Sequence, residues 1–177
     1  MIVFAVNVHS GGGKVLLDAL LEDQPFGEIT DAFIDSRYLP SAKTVGINFH
    51  RYERSVFNRI KAQFDLKELT KKDTVKNADL LFFGNYPPFF KFKNTAIVYL
   101  QNCFLLSSVP LPKDSLFEKT RNFIERLLLR FFRKNIDAFW VQTDWMKSIV
   151  STDFPNVKIE KKPFLPRFDD QPLKSIN

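Results

Sequence analysis

The chain has 177 residues and 45% hydrophobic content, enough apolar material for one core and a single domain and too much for a disordered chain. A net charge of +6 and a pI near 9.4 point to anionic company, whether nucleic acid, anionic lipid or a phosphorylated substrate, through long-range attraction. Its one cysteine, Cys103, excludes an internal disulfide, and no apolar run reaches the roughly 18 residues of a membrane span.

The first element is an apolar strand, Ile2 to Val8, with no basic leader before it. The run is short and contains Asn7, so it reads as a buried strand rather than a signal peptide. With the lone thiol, this predicts an intracellular, cytoplasmic chain. The strand breaks at His9-Ser10 into Gly11-Gly12-Gly13, and a helix-like run, KVLLDALL, follows at once. A strand that feeds a glycine turn opening a helix suits phosphate, because free backbone N–H groups and the positive helix end converge there. Neither familiar template fits. Gly11 to Val15 lacks the last glycine of G-x-G-x-x-G, while Val8 and Val15 stand where a P-loop needs a glycine and a Ser or Thr. A flexible corner that merely permits positive φ is the other reading of the same residues.

The helix is predicted to end near Asp23 to Pro25. Short strands are predicted at Ile29 to Asp35 and Thr44 to Phe49, around the turn Leu39-Pro40-Ser41. From Arg51 to Lys67 the apolar residues Val56, Phe57, Ile60 and Phe64 recur at helical spacing, which predicts an amphipathic helix. Ala78 to Phe83 and Thr95 to Leu100 are near-continuous apolar runs, as expected of parallel strands covered on both faces. Each exits into a polar loop, Gly84 to Pro88 and Gln101-Asn102. Ser115 and Glu118 form a capping box for a long basic helix to about Asn135, with Phe123, Ile124, Leu127, Leu128, Phe131 and Phe132 on one stripe. That stripe is predicted to pack on the sheet, with membrane contact as an added role. Asp137 to Gln142 is another buried strand, Thr143 caps a short helix, and Val157 to Ile159 is a last strand before an extended linker beginning at Lys161.

Strand and helix signals alternate along the whole chain. They predict an α/β fold, a doubly wound and mostly parallel sheet with helices on both faces, over residues 1–160, with 161–177 as a linker or tail. Ligands of such sheets sit beyond the carboxyl ends of the strands, which selects the loops at His9 to Lys14, Asn85 to Pro88, Gln101-Asn102 and Thr143-Asp144. The load of 20 Phe predicts that some apolar surface stays exposed, and the loop Phe89-Phe90-Lys91-Phe92-Lys93 reads as a candidate for lipid contact.

With those loops assembled, the chain resembles the N-terminal domain of GT-B glycosyltransferases of the group 1 family, which build polysaccharides from nucleotide sugars. The resemblance rests on VNVHSGGGKVLLDALL, on VYLQN, and on the block DAFWVQTDWMKS, in that order and separation over essentially the full length. It implies a Rossmann-like acceptor-side domain, a nucleotide-sugar donor as substrate with no further cofactor and no metal, and a glycan or lipid-linked acceptor. Gly11, Gly12 and Gly13 would approach the donor diphosphate, with Lys14 adding charge. Asn85, Tyr86, Gln101, Asn102 and Thr143 would face the acceptor.

Gln101-Asn102 falls where many members carry His-Asn. Because Gln cannot serve as a base, a proton acceptor must lie elsewhere, and His9 and Asp144 are the nearest titratable candidates. The resemblance further implies a C-terminal domain or partner chain that completes the cleft, no activity without it, and a cytoplasmic or peripheral inner-membrane location. A Rossmann- or flavodoxin-like module that binds nucleotide without chemistry is the alternative. Nucleic acid is not expected as a partner, because the basic residues are scattered among apolar helices rather than set in a stacking or groove-reading motif.

Overall fold

The computed structural model describes residues 1–41, 43–112 and 116–164. Ser115 of the expected capping box, and the tail from Leu165 on, lie outside the described residues. Seven strands form one sheet: β1 (Ile2–Ala5), β2 (Asp31–Asp35), β3 (Asn48–Tyr52), β4 (Leu80–Phe83), β5 (Ala96–Tyr99), β6 (Ala138–Val141) and β7 (Lys158–Lys161). Their spatial order is β3-β2-β1-β4-β5-β6-β7, and every neighbouring pair is parallel. Among the described residues four α-helices connect them: α1 (Gly11–Asp23), α2 (Val56–Leu69), α3 (Leu116–Phe131) and α4 (Asp144–Asp153). The fold is thus α/β, with the Rossmann-like arrangement expected from the alternating signals.

Alternation along each strand divides the core into two layers. Ile2, Phe4, Leu80, Phe82, Val98 and Phe139 point to the face covered by α2, α3 and α4, which contribute Ala62, Leu66, Leu129, Met146 and Val150. Val3, Ala5, Leu81, Phe83 and Tyr99 point to the opposite face, where α1 packs through Leu17, Leu20 and Leu21. The four central strands are wholly buried, which is why they read as unbroken apolar runs.

The edges were harder to read. β3 lies four residues later than expected and carries His50 and Arg51, tolerated because one flank of an edge strand meets water. His50 Nε2 lies 2.9 Å from Asp31 Oδ1, and Arg51 Nη1 donates to the Tyr38 carbonyl at 2.8 Å. The helix expected from Arg51 therefore starts at Val56, where the Ser55 side chain accepts from the Asn58 amide at 2.9 Å.

Two helices turn the other way from expectation. In α2 the buried residues are Ala62, Gln63 and Leu66, while Val56, Phe57 and Phe64 are exposed. In α3 the buried residues are Asn122 and Leu129, and Phe123, Ile124, Leu127 and Phe131 face outward. Polar anchoring accounts for α3. Asn122 Oδ1 accepts from Asn102 Nδ2 at 3.0 Å, and Arg126 Nη2 donates to the carbonyls of Phe104 and Val109 at 2.7 and 2.8 Å. Conversely, the Phe89 to Lys93 loop is folded in. Phe92 is buried, Phe89 packs on Phe132 and Phe90 on Phe64, and Lys91 pairs with Asp137.

Candidate functional site

The strand order reverses between β1 and β4, and connections leave that point on opposite faces, opening a crevice above the carboxyl ends. A cleft of about 360 Å³ lies there, lined by residues from the exits of five strands and from α2 and α3. Its floor is the junction of the β1 and β4 exits. Asn7 Nδ2 donates to the Gly84 carbonyl at 2.9 Å, and Gly84 and Asn85 turn the chain with φ of 99° and 71°. Asn85 Oδ1 then accepts from the amides of Gln101 and Asn102 at 2.8 and 3.1 Å, tying the β5 exit to the β4 exit.

One wall comes from β1 and β2. Asp35, at the end of β2 with its side chain 1% exposed, is held as a fork by Arg37: Nε to Oδ1 at 2.8 Å and Nη2 to Oδ2 at 2.7 Å. The guanidinium keeps the Asp35 carboxyl below the usual carboxylate range and is itself held more firmly charged. Arg37 Nη2 also lies 3.2 Å from His9 Nδ1. Since arginine can only donate, Nδ1 is the lone-pair nitrogen in this geometry and the ring proton sits on Nε2.

The other wall comes from α2, α3 and the β4 loop. Arg59 stacks over the Tyr86 ring, 4.7 Å from its centroid, and Nη1 donates to the Tyr86 hydroxyl at 2.9 Å. That hydroxyl donates in turn to Glu125 Oε1 at 3.4 Å, and Arg121 Nε stands 4.0 Å from the same oxygen. Burial pushes the Glu125 carboxyl above its ordinary range in spite of both arginines, and pushes the Tyr86 phenol up as well. Arg59 Nε is buried without a partner, and Arg54, exposed at the rim, has no hydrogen-bond or ion-pair partner among the described residues.

Four guanidinium groups thus face two carboxylates, and Asp35 is already taken by Arg37. What remains is Arg54, Arg59 and Arg121 around a single glutamate whose carboxyl burial pushes upward. Such a cleft is built for an anion of phosphate or carboxylate type, with a carboxyl able to exchange a proton beside it.

Of the residues named from sequence, His9, Asn85, Tyr86 and Asn102 line this cleft. Gly11 to Gly13 open α1 immediately after His9; at Gly11 and Gly12 nothing lies within 4 Å of where a Cβ would stand, so the corner is open to a ligand. Lys14 is turned back along α1, with Nζ 2.6 Å from Asp18 Oδ2 and over the Tyr38 ring. Gln101 is fixed through its amide, and its Nε2 is buried without a partner. Thr143 is a helix cap, accepting from the Met146 amide at 3.1 Å, and Asp144 is 78% exposed and paired with Lys161 at 2.6 Å. Neither lines the cleft, so His9 and Asp144 are not brought to one centre.

The sequence reading did not find Asp35, Arg37, Arg54, Arg59, Arg121 and Glu125. They come from three separate stretches, 35–37, 54–59 and 121–125, and the only local signal was an acid closing an apolar strand at Asp35. Among the described residues no three His, Cys, Asp or Glu side chains are grouped to hold a metal ion. The sequence matches no protein-family model, and comparison with curated proteins returns no match. A Rossmann-like sheet with a cationic cleft at its switch point is the class that fold and site define.

Proposed function

We propose that the chain is the acceptor-side half of a nucleotide-sugar-dependent glycosyltransferase of GT-B type, working in polysaccharide or lipid-linked glycan synthesis. The observation that carries this reading is the cleft at the β1–β4 reversal, where Arg54, Arg59 and Arg121 surround Glu125 beside an open glycine corner. In this reading the acceptor lies in the cleft against Asn85, Tyr86 and Asn102, which offer amide and hydroxyl groups to sugar hydroxyls. The arginines hold an anionic group of the acceptor.

Glu125 replaces Asp144 as the group to test for proton transfer, because it lines the cleft and its carboxyl retains a proton at higher pH than a solvated one. His9, with Nδ1 occupied by Arg37, offers Nε2–H as a donor. The donor diphosphate approaches Gly11 to Gly13 from the side of a second nucleotide-binding domain or chain.

The test is a titration of the chain with a phosphorylated glycan acceptor, with free nucleoside diphosphate and with nucleotide sugar, alongside an assay for sugar transfer. Acceptor binding that Arg59→Ala weakens, with turnover appearing only when a second nucleotide-binding chain is supplied, is the expected result. Saturable nucleotide binding in the cleft with no acceptor binding would favour a non-catalytic nucleotide module instead. Turnover of nucleotide sugar by this chain alone would overturn the half-enzyme reading.

A further inference from the structure

We infer that the outer face of α3 is a docking surface for an anionic membrane. Leu116, Phe117, Phe123, Ile124, Leu127 and Phe131 follow the period of the helix onto one stripe, and each is half or more exposed, from 50% at Phe123 to 82% at Leu116. A soluble surface rarely leaves so continuous an apolar strip bare. α3 can do so because its inner face is anchored by Asn122, Arg126 and Leu129, which hold the helix from the side opposite the stripe.

Charge selects the occupant. Lys119 and Arg130 flank the stripe, and Arg133 and Lys134 continue from its end; none of the four has a hydrogen-bond or ion-pair partner among the described residues. Glu125, one of only two carboxylates on this helix, is turned into the cleft. A second copy packed on the same face would set these cations against their own equivalents, whereas a bilayer of anionic headgroups neutralises them while its acyl boundary takes the rings. The helix then lies flat on the membrane along its length of about 24 Å. Arg121 and Glu125 are on this same helix, so docking holds the mouth of the cleft at the lipid surface. The inference does not depend on the transferase reading.

The test is flotation of the full chain with vesicles of phosphatidylglycerol and phosphatidylcholine, and with phosphatidylcholine alone. The protein is expected to rise with the mixed vesicles, to stay behind with the neutral ones, and to be released by salt. Phe117→Ser with Leu127→Ser, both at exposed positions, should abolish flotation at an unchanged unfolding midpoint. Arg130→Glu with Lys134→Glu should weaken it about tenfold or more. Absence of flotation with both vesicle types, or equal flotation with both, overturns the inference. A dimer in solution that the serine variant dissociates, without vesicle binding, assigns the face to a second copy and overturns it equally.

Discussion

Asn7 and Gly84 meet where the strand order reverses. Asn7 Nδ2 donates to the Gly84 carbonyl at 2.9 Å, and a Cβ on Gly84 would stand 2.8 Å from Asn7 Oδ1 and 2.7 Å from Val8 Cγ2. The floor of the cleft is therefore set by the close approach of the Asn7 and Val8 side chains to the Gly84 backbone, which glycine allows. Gly84→Ala also meets a φ of 99°, and it is expected to cost about 2–4 kcal/mol by denaturant unfolding, strain and overcrowding together. An unchanged midpoint would show that the β1 exit can move aside.

Gly12 is the opposite case. It lies in the first turn of α1 with open space around it, so Gly12→Ala should leave stability equal or raise it by about 0.5 kcal/mol. If the glycine corner faces a phosphate, the same variant should nonetheless weaken binding of a nucleotide sugar or of free nucleoside diphosphate. Stability and binding that both stay at the wild-type level would make the triglycine a plain turn.

The two carboxylates of the cleft should respond to pH with opposite signs. Glu125 holds its proton more tightly folded than unfolded, so its contribution is full below the unfolded value of about 4.3 and is lost as pH rises through the folded one. Glu125→Gln is accordingly expected to be more stable than wild type at neutral pH and to converge with it in acid. Asp35 is lowered by Arg37, so its contribution is full above about 3.9 and is lost as pH falls through the folded value. Asp35→Asn should be destabilised at neutral pH, with the gap closing in acid. Unfolding midpoints across the acid range measure both differences.

Arg54 and Arg59 separate ligand binding from packing. Arg54 has no partner among the described residues, so Arg54→Ala should change stability by less than about 0.5 kcal/mol. It should still weaken a phosphorylated ligand about tenfold, the weight of one charge-assisted hydrogen bond. Arg59→Ala should show the same loss of ligand plus about 1 kcal/mol of stability, because it also strips the cation from the Tyr86 ring. Calorimetric titration beside an unfolding curve reads both quantities. Arg54→Ala with full affinity would place the ligand elsewhere.

The central layer was legible from residues alone. IVFA, LLFF, AIVY and AFWV are buried on both faces, and a strand in that position must be apolar throughout, so composition reports it directly. The Thr143 and Ser55 caps obey local chemistry as well, each side-chain oxygen accepting from an amide three residues on. Edge strands were located with shifted bounds, Thr44 to Phe49 against β3 at Asn48–Tyr52 and Val157 to Ile159 against β7 at Lys158–Lys161, since they carry His50, Arg51, Lys158 and Glu160 on surfaces that water reaches.

Helical periodicity in α2 and α3 was real but did not say which way it pointed. The stripe of α3 looks like a core face, yet the hydrogen bonds that Asn122 accepts from Asn102 and that Arg126 donates to Phe104 and Val109, in the segment leading into the helix, turned it outward. The cleft was hidden for the same reason: His9, Asp35, Arg59, Tyr86 and Glu125 are unremarkable one by one and acquire meaning only when β1 and β4 become neighbours. Sequence by itself determined the layered α/β sheet, because burial of a strand or a helix face is a nearest-neighbour demand on residue type. Tertiary structure alone decided the arginine-rich cleft and the bare face of α3, because which charges converge, and which apolar stripe is left uncovered, depend on contacts between segments far apart in the chain.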